Sequence, residues 1–323
     1  MKAKITGIGH YLPNKIVSNE DLATQYDITG GSERIYQKTG IRQRHYLEIG
    51  STSNLVIKAV KNLIGSNRYR LNDLDCLILG TTTPDYFFPA TAIAVLNELN
   101  VKNAFGFDVS AACSGFMYGL HLGRLMIESG EAKKIIVCGG DKMSSTLNDH
   151  DYKTAVLFGD GAGAIMLEAA EEKEENHLYK SICSMKKDGL SEVYLKTGLN
   201  TKQKTIDTIH MEGRRVYESG VTQMTKSIAD YLKSMNLTLD DIDYIVPHQS
   251  NLRMIEAVAD KLGLSMDKLL TNIETMGNTG AATIPICLSQ CYKNTQIKKG
   301  DRLLLVGFGA GYSSAVCYLK WSI

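Results

Sequence analysis

The sequence contains no apolar run that approaches the ~18 residues needed to span a membrane. Its first residues, MKAKITGIGHYLPNK, contain neither a long apolar core nor a small-residue cleavage site, so no secretory signal peptide is predicted. The net charge is only +1, which argues against nucleic acid or an anionic membrane as a partner. We therefore expect a cytoplasmic protein.

The cysteines also show no pattern typical of a disulfide framework. The seven cysteines are odd in number and mostly lie in apolar runs, which fits a reducing compartment better than a set of disulfides. The closest pair, CLSQC at 287–291, has neither the CxxC spacing of a redox site nor the pattern of a four-ligand zinc site. We predict no metal site.

The rest of the composition is that of an ordinary globular protein. Hydrophobic residues make up 44% of the 323 residues and charged residues 22%, so the chain can bury a large core. Short β-branched runs alternate with helical spacing, which is typical of α/β layering. The helical spacing covers residues 55–65, 90–101, 221–235 and 251–264. The apolar segment 112–128 predicts a helix sandwiched between two sheets.

Two pairs of segments repeat at nearly one distance. LNDLDCLILG (71–80) resembles LDDIDYIVPH (239–248), and AKKIIVCGGDKMSS (132–145) resembles GDRLLLVGFGAGYSS (300–314), at offsets of about 168 and 169 residues. Two matches at one offset indicate a duplicated unit. The polar stretch EAAEEKEENH (168–177) is typical of a solvated loop, and also of a boundary. We predict two halves, 1–172 and 173–323.

Cys113 lies in DVSAACSGF (108–116), between a strand-like and a helix-like run. If the helix begins near residue 112, unpaired amides and the helix dipole favour a thiolate and lower the pKa of Cys113. The small neighbouring residues leave room for a substrate. Free cysteines are commonly buried and inert, so a purely structural role for Cys113 remains open on this evidence alone.

Two more polar residues lie at strand or turn ends. His248 closes the apolar run of VPHQSN, and ligands bind α/β sheets at such strand ends, although a structural histidine is the alternative. Asn278 is flanked by glycines in MGNTGAATIP, where its alternative role is that of a left-handed turn residue. The turn VGFGAGYSS (306–314) exposes backbone N–H groups that can bind an oxyanion. FGDGAGAIML (158–167) is not a phosphate loop, because it lacks the GxGxxG spacing and a strand is predicted to follow.

Over nearly its whole length, the chain resembles the ketoacyl synthase III family of the thiolase-like condensing enzymes. The resemblance rests on GIGHYLP (7–13), KTGIRQRH (38–45), FPATA (88–92), FDVSAACSGF (107–116), FGDGAGA (158–164), VPHQSNLR (246–253), GNTGAA (277–282) and GFGAGYSS (307–314). It implies the thiolase-like α/β fold, with two duplicated halves in five layers α-β-α-β-α, usually as a homodimer.

The resemblance also implies a reaction, the decarboxylative condensation of an acyl thioester with malonyl-carrier protein through an acyl-Cys113 intermediate. His248 and Asn278 would bind the enolate oxygen, and the backbone N–H groups of Cys113 and Ala310 would bind the oxyanion of the acyl carbonyl. The product would serve fatty-acid initiation or a specialised polyketide-type pathway, with acyl-CoA or acyl-carrier thioesters as substrates and no cofactor. The alternative is a non-condensing acyltransferase of the same fold that forms an ester or amide.

Further residues match family positions outside the catalytic set. Phe88 matches a position that lines the acyl pocket across the dimer interface. Arg253 matches a position that docks the acidic carrier protein, and Arg214 is a candidate for the same patch. For each of these charges, an ordinary solvated side chain is the alternative.

The chain departs from the family where coenzyme A binds. Familiar members sandwich the adenine between a tryptophan before TGIR and an arginine before FGDGAGA. Here Arg34 lies near the first position and Tyr152 near the second. Either an Arg34–Tyr152 pair holds adenine through a cation–π contact, or the natural donor is bound to a carrier protein instead of coenzyme A.

Overall fold

The computed structural model describes residues 1–65, 71–171, 177–185, 189–196 and 207–323. The strands are β1 (Lys2–Tyr11), β2 (Lys15–Ser18), β3 (Gln43–Tyr46), β4 (Cys76–Gly80), β5 (Phe105–Val109), β6 (Lys134–Lys142), β7 (Asp160–Ala170), β8 (Leu178–Met185), β9 (Val193–Tyr194), β10 (His210–Met211), β11 (Tyr244–Pro247), β12 (Arg302–Gly309) and β13 (Ser313–Lys320). The helices are α1 (Asn19–Gln25), α2 (Gly31–Thr39), α3 (Thr52–Ile64), α4 (Thr91–Glu98), α5 (Gly115–Ser129), α6 (Tyr152–Ala155), α7 (Gly213–Met235), α8 (Leu252–Leu262), α9 (Ile273–Met276) and α10 (Thr283–Lys293).

Two mixed sheets form the centre of the molecule. The first has the strand order β1-β7-β6-β4-β5, and the second has the order β11-β12-β13-β8. Strand β4 is parallel to both β5 and β6, and β11 is parallel to β12, whereas the other pairs in these sheets are antiparallel. Strands β2 and β3 form a separate antiparallel pair, as do the short strands β9 and β10.

The helices complete five layers. Helices α5 and α10 lie between the sheets, α3 and α4 cover the outer face of the first sheet, and α7 and α8 cover the outer face of the second. Apolar residues on both faces of each strand explain this burial: in β4, Ile78 faces the central helices, while Leu77 and Leu79 face α3 and α4. The predicted five-layer α-β-α-β-α fold is confirmed.

The duplication extends to strand register. In the first sheet, Cys76 of β4 lies opposite Ile135 of β6, and in the second, Tyr244 of β11 lies opposite Leu303 of β12. Each residue of the second pair is 168 positions after its counterpart in the first. The predicted repeat therefore corresponds to two copies of one parallel strand pair.

An equivalent carboxylate anchors each copy. Asp75 accepts a hydrogen bond from the backbone N–H of Lys134 at 2.9 Å, and Asp243 accepts one from the backbone N–H of Arg302 at 2.8 Å. Both carboxylates lie just before the first strand of the pair and tie it to the start of the second. The recurrent acidic turn in the sequence thus has a structural function in each half.

One helix is longer than predicted. Helix α7 begins at Gly213 and not at residue 221, although Gly213 and Gly220 both lower its helical propensity. The ion pair between Arg214 and Glu218, one helical turn apart at 2.9 Å, supports the additional turns.

The predicted boundary at 172/173 falls on residues outside the described ranges. Within those ranges, no helix combines the length and the apolar character that crossing a membrane requires.

Candidate active site

Cys113 lies in the turn that joins β5 to α5. Residues Ala112–Ser114 form one 3-10 turn, and the α-helix starts at Gly115, not near residue 112 as predicted. Ala112 has a φ of 48°, a left-handed conformation that is unfavourable for a residue with a Cβ atom. The strained turn directs the Cys113 side chain to a pocket, where it is partly exposed.

The Cys113 thiol is not activated by its position alone. Loss of hydration and, to a smaller extent, the charge of Asp141 raise its pKa to about 12, although its own backbone N–H opposes this increase. The prediction that the helix start lowers the pKa of Cys113 is therefore wrong. The next N–H group, that of Ser114, donates to the carbonyl of Ala111 at 3.0 Å and does not stabilise a thiolate.

His248 follows β11 directly. Its backbone N–H donates to the carbonyl of Val306 in β12 at 2.7 Å, so the parallel strand pair fixes its position. The side chain is buried, and Nδ1 lies 2.8 Å from the hydroxyl of Thr283 at the start of α10. Burial lowers the pKa of His248 to about 3, so its imidazole is neutral near pH 7.

Three hydrogen bonds hold Asn278 in place. Its backbone N–H donates to Leu157 at 2.8 Å, its carbonyl accepts from Gly159 at 3.0 Å, and its Oδ1 accepts from the N–H of Gly280 at 3.0 Å. These contacts leave the Nδ2 amide group as a donor. The left-handed conformations of this turn belong to Gly277 and Gly280, with φ of 65° and 61°, so the alternative role of Asn278 as the left-handed residue is wrong.

The Gly-rich turn after β12 packs against the Cys113 turn. A Cβ atom on Gly309 would lie 2.9 Å from the backbone nitrogen of Cys113, so only glycine permits this approach. Ser114 Oγ donates to the carbonyl of Ser313 at 3.0 Å, and Ser313 Oγ donates to that of Ala111 at 3.1 Å. These serines join the two halves of the chain, and Ala310 lies in the same turn.

One pocket brings these residues together. Cys113, His248, Asn278 and Ala310 all line it, although His248 and Asn278 are 135 and 165 residues away from Cys113 in the sequence. Cys113 comes from the first half of the chain and the other three from the second. The pocket therefore lies at the junction of the two halves.

Two contributors to the pocket were missed by sequence reasoning. The pair β9–β10 lies at its mouth, where Val193, Tyr194 and Met211 line it. Strands of two residues are too short to show alternation in a sequence.

The second contributor is Asp141 near the end of β6, which does not line the pocket itself but holds Thr82, which does. It is completely buried and accepts hydrogen bonds from the threonine run 81–83 and from the backbone N–H of Ala281. The signal in the sequence was the run TTT directly after the buried strand CLILG, since three consecutive hydroxyls at a strand end need a common acceptor.

The predicted adenine pair is only half present at the pocket. Tyr152 lines it, whereas Arg34 is exposed on α2 and does not line it. Lys38, one turn further along α2, lines the pocket in its place, together with Lys153 and Lys142.

Phe88 lies on the pocket rim with 86% of its surface exposed, next to the exposed Tyr86 and Phe87. Such an exposed aromatic cluster is typical of a surface that another molecule covers.

The two candidate docking arginines differ in their surroundings. The Arg253 guanidinium donates to the carbonyls of Gln37 and Tyr36 and pairs with Glu256 at 2.7 Å, so it connects α8 to the end of α2. The Arg214 side chain is 91% exposed where it lines the pocket, and among the described residues its ion-pair partner is Glu218 on its own helix. Arg214 is thus the freer of the two.

Across the described ranges, no group of three or more His, Cys, Asp or Glu side chains is arranged to hold a metal ion. The sulfurs of Cys287 and Cys291 lie 3.9 Å apart on α10, and both side chains are buried.

Two family models match the chain. The model for 3-oxoacyl-[acyl-carrier-protein] synthase III matches residues 107–186, and the model for the C-terminal part of that enzyme matches residues 232–321. These ranges contain Cys113 in the first and His248 and Asn278 in the second.

Relatives that match over nearly the full length of the chain carry the same description as the family models. The chain is 39% identical to a beta-ketoacyl-[acyl-carrier-protein] synthase III of Chlorobaculum tepidum, over 99% of this chain and 100% of the relative. It is 40% identical to such an enzyme of Bacteroides thetaiotaomicron, over 99% of this chain and 97% of the relative.

Solved structures share the fold. The 3-oxoacyl-(acyl carrier protein) synthase III of Pseudomonas aeruginosa PAO1 superposes with a TM-score of 0.93 at 33% identity, covering 100% of this chain and 99% of the other. The priming beta-ketosynthase of the R1128 polyketide biosynthetic pathway does so with a TM-score of 0.92 at 28% identity, covering 99% and 96%.

Proposed function

The chain belongs to the beta-ketoacyl-[acyl-carrier-protein] synthase III family, and we propose that it condenses an acyl thioester with malonyl-carrier protein through an acyl-Cys113 intermediate. As a member of this family it is an acyl-transferring enzyme. The observation that carries the proposal is the shared pocket, where a thiol, a neutral imidazole and a primary amide converge from distant parts of the chain.

The first half-reaction starts from two uncharged groups. The pKa of Cys113 is about 12 and that of His248 is about 3. The resting pocket therefore contains a thiol and a neutral imidazole. It does not contain a thiolate and an imidazolium. We propose that the imidazole accepts the thiol proton while sulfur attacks the thioester carbonyl. The backbone N–H groups of Cys113 and Ala310 stabilise the oxyanion, and the departing carrier thiol takes the proton from His248.

The second half-reaction needs hydrogen-bond donors but no general base. Malonyl thioester loses CO2, and the electron pair of the broken bond forms an enolate. His248 and the Nδ2 group of Asn278 donate hydrogen bonds to the enolate oxygen, and the enolate carbon attacks the acyl-Cys113 carbonyl. The β-ketoacyl thioester is released, and one proton from solvent restores the Cys113 thiol.

Thr283 allows His248 to serve both half-reactions. Its hydroxyl can accept a hydrogen bond from Nδ1–H or donate one to unprotonated Nδ1. Nε2 can therefore be a proton acceptor in the first step and an N–H donor in the second, without any charge on the resting imidazole.

A mass measurement tests this function. Incubation with an acyl donor should add one acyl group to Cys113, and subsequent malonyl-carrier protein should release CO2 and a product extended by two carbons. Acyl-Cys113 that reacts without CO2 release would instead indicate the non-condensing acyltransferase. A Cys113→Ala variant should show neither product.

We further propose that the first acyl donor is delivered by a carrier protein. The supporting observation is that Tyr152 lines the pocket without Arg34, so the two sides of an adenine sandwich are not assembled. Acylation rates of Cys113 from matched acyl-CoA and acyl-carrier donors test this, and efficient use of acetyl-CoA would contradict it. A carrier-bound donor fits a specialised polyketide-type pathway as well as fatty-acid initiation.

Carrier docking is proposed at the pocket mouth, with Arg214 as the accessible charge. Arg214→Glu should reduce turnover of malonyl-carrier protein more than that of malonyl-CoA, because only the carrier presents an acidic surface. Lys226→Glu is the matched control, since Lys226 also forms an i,i+4 pair on α7 but does not line the pocket. Arg253→Glu is less informative because it also breaks the contacts between α8 and α2.

A homodimer is proposed through the open edge of the first sheet. Strand β5 is an edge strand, and Phe105, Ile93 and Phe88 near it are 52%, 40% and 86% exposed. Phe105→Asp should convert a dimer into a monomer in light-scattering measurements. Ile16→Asp, at a side chain that is also 52% exposed but lies on β2, should leave the dimer intact.

A further inference from the structure

The Cys113 turn has a counterpart in the second half of the chain. The 3-10 turn Gly280–Ala282 lies 168 residues after Ala112–Ser114, and α10 begins 168 residues after α5. Gly280 repeats the left-handed backbone of Ala112, with φ of 61° against 48°. In this alignment, Ala281 takes the place of the nucleophile Cys113.

The hydrogen bonds of the two turns match as well. The N–H of Ser114 donates to the carbonyl of Ala111 at 3.0 Å, and that of Ala282 donates to the carbonyl of Thr279 at 3.1 Å. The second turn is therefore a copy of the nucleophile turn that lacks the reactive side chain.

A carboxyl group is bound at this unreactive copy. Burial raises the pKa of Asp141, and the hydrogen bonds that it accepts from Thr82, Ala281 and Thr81 oppose this increase. The backbone N–H of Ala281 donates to Oδ2 of Asp141 at 2.7 Å, and a Cβ atom on Gly280 would overlap the same oxygen. The residue that corresponds to Asp141 on the other side is Gly309, 168 positions later, which has no side chain and leaves the N–H of Cys113 open to the pocket. The same backbone geometry thus holds a carboxylate in one copy and faces the substrate pocket in the other.

Asp141 is also anchored to the first half. Its Oδ1 accepts hydrogen bonds from the backbone N–H and hydroxyl of Thr82 at 2.6 and 2.9 Å, and from the hydroxyl of Thr81 at 3.0 Å. One buried carboxylate therefore joins the loop after β4 to the turn that follows Asn278 by two residues.

We propose that Asp141 is a positioning residue, whose carboxylate occupies the anion site of the unreactive turn and thereby holds the Asn278 amide in place for the second half-reaction. This inference rests on the proposed condensation. Asp141 does not touch the reacting atoms. Its loss should therefore affect condensation, which uses Asn278, much more than acylation of Cys113, which does not.

Two variants separate the contact between Asp141 and Ala281 from the charge of Asp141. Asp141→Asn removes the charge and the acceptor for Ala281, whereas Gly280→Ala displaces the carboxylate from the turn and keeps the charge. Each should slow CO2 release from acylated enzyme roughly 10²-fold and change the acylation rate less than about threefold. Since the Asp141 charge raises the pKa of Cys113, Asp141→Asn should also speed iodoacetamide labelling of Cys113, whereas Gly280→Ala should not.

Asp160→Asn is the matched control. Asp160 is equally buried, but it accepts hydrogen bonds from Leu47 and Ser144 and not from the Asn278 turn. Its substitution should change acylation and condensation in equal proportion and leave the labelling rate at the wild-type value.

Equal losses of acylation and condensation in Asp141→Asn and Gly280→Ala, or unchanged condensation in either, would overturn the proposal. Rates are normalised to the fraction of enzyme that can be acylated, so partial misfolding does not imitate the effect. A failure of the proposed function would be visible in the wild-type enzyme itself, which would then release no CO2.

Discussion

Cys113 and His248 line one pocket, and the pKa of each favours its uncharged form near pH 7. The same burial that raises the pKa of the thiol lowers the pKa of the imidazole, because each charged form loses hydration. In the proposed reaction, the proton therefore moves from Cys113 to His248 while sulfur attacks the substrate, and not before. A resting thiol is also protected from oxidation and from metal ions, which both require a thiolate.

This pairing predicts how Cys113 reacts with iodoacetamide. With a pKa of about 12, the thiolate fraction and hence the labelling rate should rise about tenfold per pH unit from about pH 6 to about pH 9. Mass spectrometry of the Cys113 peptide measures this rate. A plateau of rapid labelling below about pH 7 would instead indicate a thiolate–imidazolium pair.

Asn278→Asp tests the donor role of the amide. A carboxylate at this position cannot donate to the enolate oxygen, and its charge repels the charge that develops there. We expect CO2 release to fall about 10²–10³-fold, with acylation of Cys113 nearly unchanged. Asn278→Ala, which removes the donor without adding charge, should lose less. An equal effect of the two substitutions would argue against an anionic enolate near residue 278.

Among the structural elements, the turns determine the site. Gly309→Ala would place a methyl group 2.9 Å from the nitrogen of Cys113. We expect acylation to slow roughly 10²-fold, because both oxyanion donors belong to the two turns that would move apart. Circular dichroism and the acylation rate measured together check this. Gly213→Ala is a control for glycine replacement, since Gly213 has no left-handed backbone and its added Cβ would come no closer than 3.9 Å to Met211.

The helices and strands could be predicted from the sequence far better than these turns. The predicted strand CLILG has the same bounds as β4, because a short apolar run that ends at a glycine is typical of a buried strand. The left-handed backbone of Ala112 could not be predicted, since alanine rarely adopts this conformation and only tertiary packing enforces it. The hydrogen bonds of Asp141 were equally hard to predict, because its partners are 58 or more residues away in the sequence.

Residue types still selected the positions that one pocket brings together, because the motifs around Cys113, His248 and Asn278 are long and specific. The sequence could not show whether burial or the helix dipole has the larger effect on the pKa of Cys113. Both effects act on the same thiol with opposite sign, and only the depth of the pocket decides between them.

For the whole molecule, buried histidines predict sensitivity to acid. Burial and the nearby Lys293 lower the pKa of His10 to about 4, and burial lowers that of His248 to about 3. Below about pH 6.5 the unfolded chain binds protons on both histidines, whereas the folded chain does not until the pH falls to about 4 or 3. The free energy of unfolding should therefore decrease by about 1.4 kcal/mol per pH unit for each of them.

His10→Gln isolates one of these contributions. The variant keeps a polar group near Ser289, which lies 2.7 Å from Nδ1 of His10, but cannot be protonated. Between about pH 6.5 and about pH 4 it should lose roughly 3 kcal/mol less stability than the wild type in urea unfolding. Parallel pH curves for the two proteins would show that His10 is accessible to protons in the folded state.

The repeated turn gives this molecule an internal reference. A substitution at Ala112 can be paired with one at Gly280, so that a backbone change in the Cys113 turn is compared with one in the turn after Asn278 within one polypeptide, at one temperature and in one solvent. In the proposed reaction the first change acts on acylation and the second on condensation. A loss of stability that both substitutions share then measures the folding of the motif, whereas the ratio of their effects on the two half-reactions measures what each turn contributes to the chemistry.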